Sequence, residues 1–310
     1  MIILNKINYY LYNLKQRKMN INQGIDEHME YISGASGLCL SIPEKIKLET
    51  TLDSLKEEYK CEEMLFWGKI MGVEKDYYIA LGLNYKEQRD FPLKKFFFAS
   101  STNFVFSELP EIKEHHIPDF QKFNSYFIGN PDIILVKYDS DSQLNSFDAE
   151  EQIAKGIFNP TIKQKNLTES DRLSYVVRSI DNDTHVIPVG GMKMLPIREM
   201  RRNDLFDGLS CDELGQIDKY MHFRKPQNQN KIDLIAMGKA TFDFNFLDNI
   251  QEDPLKDCWS IQVNSSKTVS SIRSIIWPGY YAYHKSHSEM FGGVYIGYGI
   301  RNTDISFIQQ

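Results

Sequence analysis

The chain has 310 residues, of which 42% are hydrophobic, 25% charged and 13% aromatic; this is a globular composition, long enough to bury a real core and unlike a disordered segment. Its 42 acidic side chains outnumber 36 basic ones, for a formal charge of -6, which argues against a phosphate-neutralising nucleic-acid binder. No apolar run reaches the roughly 18 residues that span a bilayer, and the scattered cysteines Cys39, Cys61, Cys211 and Cys258 form no CxxC pair, so no membrane insertion and a reducing, cytoplasmic setting are expected.

Residues 1–30 read as a flexible extension, with Lys6, Lys15, Arg17 and Lys18 but no acid before Asp26. A region of one helix and β-hairpins is expected over 31–138. Ser41 and Glu44 make a capping box, and Leu48, Leu52, Leu55 and Tyr59 then recur at helical spacing. Glu63 to Leu83 holds two apolar, aromatic-rich runs around a short polar turn from Gly72 to Asp76, the pattern of a hairpin covered on both faces. Gly68 stands among large neighbours, a place suited to an aromatic ring or another backbone lying across it. Phe96 to Ala99 and Phe104 to Phe106 flank a polar turn and predict a second hairpin; Ile133 to Tyr138 predicts another strand.

A polar, acidic connection is expected over 139–168, and helices plus an antiparallel sheet over 169–310. Thr168 or Ser170 caps a helix with Leu173, Val176, Val177 and Ile180 on one stripe. Thr184 to Val189 reads as a strand, at an edge or ending there because of Pro188. Lys193, Arg198, Arg201 and Arg202 make the most basic segment, read as solvated charge or a face for an acidic partner. Ser210 and Glu213 form a second capping box, and Leu214, Ile217 and Tyr220 predict a helix ended by Pro226. Phe242, Phe244, Phe246 and Leu247 form a short apolar segment. Cys258 to Val263 and Thr268 to Trp277 read as a hairpin, Trp277 to Tyr280 as a type II turn, and Gly292 to Gly299 as a strictly alternating strand whose glycine face leaves a trough for a close neighbour.

Several of these motifs carry a resemblance. Leu65-Phe66-Trp67-Gly68-Lys69-Ile70, Gly72 and Asp76-Tyr77-Tyr78-Ile79-Ala80 with Gly82 resemble the hairpin signature of the radial spoke head protein 9 family, shared in related form by radial spoke head proteins 4 and 6. His222-Phe223-Arg224 with Pro226, Trp259 to Gln262, Ile276 to Gly279 with His284, and Val294-Tyr295 with Gly297, Gly299 and Asp304 are similar to the same family in order and spacing. The resemblance implies a non-enzymatic structural subunit in the axoneme of a motile cilium. Its implied partners are radial spoke head proteins 4 and 6 and other head subunits, with transient contacts to central-pair projections that help regulate the dyneins.

No residue pattern supports catalysis: there is no G-x-S-x-G elbow, no complete dinucleotide fingerprint and no phosphate loop. His284, His287 and Glu289 are the nearest approach to a metal set, without further ligands at fixed spacing, so no cofactor is expected. The abundance of 19 Phe, 17 Tyr and 3 Trp points instead to subunit interfaces, where rigid amphipathic rings are favoured. The candidate interface residues are Trp67, Tyr77, Tyr78, Phe223, Arg224, Trp277, Tyr281, Tyr283, Tyr295 and Tyr298. The fold expected is α+β, with amphipathic helices on antiparallel hairpins and a C-terminal antiparallel sheet. A soluble ligand- or protein-binding module, with a deep pocket lined by the same aromatics, and an enzyme without a recognisable motif are the alternatives.

Overall fold

The computed structural model describes residues 25–100, 103–136 and 166–305. The first 24 residues of the expected extension, and most of the expected acidic connection, lie outside the described residues. The helices are α1 (Ile25–Ser36), α2 (Ile42–Glu58), α3 (Ile117–Gln121), α4 (Glu169–Thr184) and α5 (Gln229–Ala236). The main-sheet strands are β1 (Glu63–Ile70), β2 (Tyr77–Asn84), β3 (Leu93–Ser100), β4 (Ser107–Glu108), β11 (Trp259–Val263), β12 (Val269–Ser274), β13 (Tyr280–Lys285) and β14 (Phe291–Gly297). Short ladders pair β5 (Ile134–Val136) with β6 (Leu167–Thr168), β7 (Val186–Pro188) with β10 (Tyr220–His222), and β8 (Met192–Met194) with β9 (Met200–Arg202). The α+β expectation holds.

One mixed sheet organises the chain, in the order β11-β12-β13-β14-β1-β2-β3-β4. Every neighbouring pair is antiparallel except β1 with β14, which run parallel and pair only through Gly68–Ile70 and Tyr295–Gly297. That short junction fuses the N-terminal hairpin to the C-terminal strands. It needs Gly68, because a Cβ there would lie 2.2 Å from the Tyr295 carbonyl oxygen. The backbone, rather than a ring, fills the space the sequence leaves open.

Both faces of the sheet are covered, as the fully buried β2 requires. On one face α1 and α2 bring Met29, Leu48, Leu52 and Leu55 against Tyr78, Phe97, Tyr283 and Val294. The capping box forms as expected, with Glu44 accepting from the Ser41 amide at 2.6 Å. On the other face α4 and the short ladders bring Leu173, Val177, Ile180, Ile187 and Met221 against Tyr77, Ile79, Trp67 and Tyr295. Two apolar stripes on alternate residues of one strand thus meet two separate layers.

Two local expectations are corrected. The box at Ser210 forms, with its hydroxyl 2.7 Å from Glu213, but the chain makes turns and a short 3-10 turn rather than a helix. Gly215 interrupts the helical run, and Tyr220 to His222 gain ladder partners at Pro188, Ile187 and Val186; tertiary pairing overrides a weak local preference. In the second hairpin, β3 pairs with Ser107 and Glu108 rather than with Phe104 to Phe106. Phe104, at φ 55°, tucks under the sheet with its ring 4.7 Å from Tyr78. Burial of that ring outweighs continued pairing.

Candidate functional site

A lined interior space lies where the sheet parts. N-terminal to the parallel junction, Leu65 to Trp67 of β1 and Phe291 to Val294 of β14 have no ladder between them, and a cavity of about 110 Å³ is lined by both segments. Ile25, His28, Met29 and Ile32 of α1 close one side; Val186, Ile187, Met192 and Phe223 close the other. His28, Tyr283 and Tyr280 pack over Gly292 and Gly293 of β14, and the half-buried Phe66, Phe291 and Arg202 also line the cleft.

A buried polar network supports this wall. Asp181, on the last turn of α4, accepts from the Trp67 indole at 3.1 Å, from His185 Nδ1 at 2.9 Å and from Lys94 Nζ at 2.5 Å. Lys94 also donates to the Phe223 carbonyl at 2.6 Å and lies 4.7 Å from the Phe223 ring centre. A carboxylate at a helix C-terminus opposes the helix dipole, so these partners are what makes Asp181 tolerable. Burial disfavours its charge, yet Lys94 and His185 hold its carboxyl well below the usual range. Burial pushes the Lys94 ammonium down, Asp181 opposing, and pushes His185 down with help from the Lys94 charge. The other two tryptophans follow the same rule: Trp277 donates to Asp183 at 2.9 Å and Trp259 to Asp253 at 2.8 Å. Each indole N–H taken into the core brings its own carboxylate.

Seven of the expected interface residues, Trp67, Tyr77, Tyr78, Phe223, Trp277, Tyr283 and Tyr295, are buried inside this chain. Tyr77 donates to Glu169 at 2.7 Å, Tyr78 to Glu44, and Tyr295 accepts from the Gly299 amide at 2.9 Å. The glycine trough is filled from within, since a Cβ on Gly293 would meet the Tyr280 hydroxyl at 2.7 Å. Arg224 and Tyr281 are half-buried, Arg224 3.5 Å from Asp248 and Tyr281 beneath Arg273. Tyr298 is exposed and packs edge-on against exposed Tyr126 at 5.0 Å. Trp67, Phe223 and Tyr283 meet at the cleft.

The basic segment is likewise paired within the chain. Arg198 makes a two-pronged pair with Asp90 at 2.7 and 2.6 Å, Arg201 reaches Glu62 at 2.5 Å, Arg202 reaches Glu63 at 3.1 Å and Lys193 reaches Asp204 at 3.0 Å. The three arginine pairs tie the β8–β9 hairpin to the start of β1 and to the β2–β3 loop, while Lys193 and Asp204 pair locally.

The comparisons with known proteins bear on about nine-tenths of the chain. The family described as radial spokehead-like protein matches residues 13–129. The radial spoke head protein 9 homolog of Danio rerio is 31% identical over 89% of this chain and 96% of its own length. That of Homo sapiens is 31% identical over 90% and 96%.

The chain belongs to the radial spoke head protein 9 family.

In this family member the histidines singled out for chemistry do not assemble. His284 is fully buried, its Nε2 accepting from the Leu209 amide at 2.9 Å and its Nδ1 donating to the Met290 carbonyl at 3.1 Å, whereas His287 and Glu289 are exposed. Among the described residues no three His, Cys, Asp or Glu side chains cluster to hold a metal, and no helix is long and apolar enough to cross a membrane. Burial, against the Met290 carbonyl, pushes the His284 pKa down from 6.5 to about 4. The folded state therefore binds this proton less readily than the unfolded chain. Stability from this group is complete above pH 6.5 and falls by about 3 kcal/mol as pH drops to about 4. Urea titrations across that window are expected to show this slope, and His284→Gln to remove it; equal slopes would refute the assignment.

Exposed apolar side chains were missed by the sequence reading. Ile232 on α5, and Met237, Phe242 and Phe244 in the segment after it, are exposed, Phe242 by 90%, while Phe246 and Leu247 just beyond are fully buried. The alternation of 242, 244 and 246 was visible; which end faces water was not.

Proposed function

We propose that this chain is a non-enzymatic structural subunit of the radial spoke head in the axoneme of motile cilia. The observation that carries this reading is the match to radial spoke head protein 9 homologs over nearly the full length of both partners. The interior supports a rigid scaffold: both faces of one sheet are covered, and the buried indoles and charges have partners within the chain. In this role it sits beside head proteins 4 and 6, and the assembled head touches central-pair projections and helps relay their state to the dyneins. Such repeatedly broken contacts suit exposed, screened charges rather than a large apolar patch.

The stable subunit contact then falls to what the fold leaves outside, foremost Phe242, Met237 and Phe244, with Tyr298, Tyr281 and Arg224 as further surface candidates. An aromatic anchor at an interface contributes about 2 kcal/mol or more, roughly 30-fold in affinity. Phe242→Asp with Met237→Asp is expected to leave the isolated chain as stable as the parent but to cut its incorporation into spoke heads by about that factor. Tagged protein would be located along the cilium and co-purified with head subunits. Wild-type protein absent from axonemes, or spoke heads complete after its loss, would overturn the reading.

A further inference from the structure

We propose that the cleft between β1 and β14 is a binding site for a neutral, ring-sized apolar group. Its volume of about 110 Å³ is somewhat below that of an engineered apolar cavity of about 150 Å³ that takes up benzene or xenon, so one ring or a compact branched chain fits. The walls set the chemistry. Leu65, Leu81, Leu83, Ile187 and Met192 are apolar, and the polar side chains among the lining residues are already engaged within the chain. Arg202 is held by Glu63 at 3.1 Å, Tyr85 by Glu63 at 3.0 Å, His185 by Asp181 at 2.9 Å, and Tyr283 by His28. The Tyr280 hydroxyl accepts from the Val186 amide at 2.9 Å. A charged ligand would find no counter-charge there that is not already paired; an apolar ring needs none.

The cleft is a product of the fold's design rather than of a missing side chain. The sheet is joined by only three residues of each strand, and N-terminal to that junction Leu65 to Trp67 and Phe291 to Val294 line the gap between the parted strands. An empty apolar space forfeits dispersion contacts that an occupant restores. The occupant is either a free apolar molecule or a side chain delivered by a neighbouring chain, and both share this chemistry. Delivery by a neighbour rests on the spoke-head reading; the solution test does not.

In that test, full-length protein labelled with 15N is titrated with benzene and, separately, with benzoate. Benzene is expected to shift the Gly292, Gly293 and Trp67 indole signals saturably, and benzoate to leave them unmoved. Leu65→Phe and Ile187→Phe, two lining positions on different strands, are each expected to weaken benzene binding at least tenfold; either one that stays folded suffices. Folded wild-type protein that shows no saturable shift, or binds benzoate as well as benzene, would overturn the proposal. Expression of Leu65→Phe in ciliated cells then separates the sources. Normal incorporation into spoke heads identifies a free molecule, and failed incorporation of a stable variant identifies a neighbour's side chain. Wild-type protein missing from axonemes would sink the spoke-head reading while leaving the titration result standing.

Discussion

Gly68→Ala is expected to destabilise the chain by about 4 kcal/mol, lowering the thermal midpoint by about 8 °C or more. Two effects add. The new Cβ would lie 2.2 Å from the Tyr295 carbonyl oxygen and 2.9 Å from its amide nitrogen, a backbone collision that no rotamer change relieves. The residue also sits at φ +156°, beside a bulge between Phe66 and Gly68, in a conformation that L side chains rarely adopt. The only escape is to push β14 away from β1, and three paired residues on each strand hold the two halves of the sheet together there. Hydrogen exchange offers a local reading, since the Met71 amide donates to the Gly297 carbonyl at 2.8 Å across the junction. Faster exchange at Met71, with the β2–β3 amides still protected, is the expected signature. A midpoint within about 2 °C of the parent would show that the sheet tolerates separation and would sink the argument.

Glu169→Ala is expected to be of similar severity, about 4 kcal/mol, with Glu169→Gln near half of that. Glu169 opens α4 and is almost completely buried. Its carboxylate accepts from the Tyr77 hydroxyl at 2.7 Å and from the amides of Ile128, Gly129 and Asn130 at 2.9, 2.8 and 3.1 Å. One side chain thereby fastens a helix, the buried strand β2 and the 128–130 loop; this loop and the adjoining Phe127 in turn accept from the Glu74 and Val73 amides through the Ile128 and Phe127 carbonyls. Alanine would strand four donors, each costing about 1–3 kcal/mol if left unpaired. Glutamine keeps one accepting oxygen and replaces the other by a donor that faces donors. Chemical denaturation of the two variants measures this, and amide exchange at 128–130 localises it. A loss below about 1 kcal/mol for alanine would mean that water replaces the carboxylate at little cost.

The two sites share a lesson about polar and glycine residues in a core. Neither Gly68 nor Glu169 contributes apolar area, yet each is required where an apolar substitute would leave a collision or unpaired donors. Asp181 and His284 belong to the same class. Removing any of them is expected to act through the fold, so assembly defects in such variants need a stability measurement before they are read as lost contacts.

What the sequence determined unaided were the features written in neighbouring residues: the capped helix α2, the two-faced hairpin of β1 and β2, the Trp277 to Tyr280 turn and the C-terminal strands. Alternation and caps are local signals, and here packing reinforced them. The family likeness was legible for the same reason, in short motifs of rare residues. Only the tertiary structure decided the rest. A ring on an alternating strand reads alike whether its own chain or another covers it, so the burial of Trp67, Tyr77, Tyr78, Phe223, Trp277, Tyr283 and Tyr295 waited on knowing that β1 meets β14. The helix expected after Ser210 gave way because one box and a stripe contribute a few tenths of a kcal/mol per residue, less than a strand ladder with a buried tyrosine. The basic segment looked like surface because its acidic partners, Glu62, Glu63 and Asp90, lie more than a hundred residues earlier in the chain. Pairings that span such separations are set by how the whole chain packs, and no window of local sequence contains them.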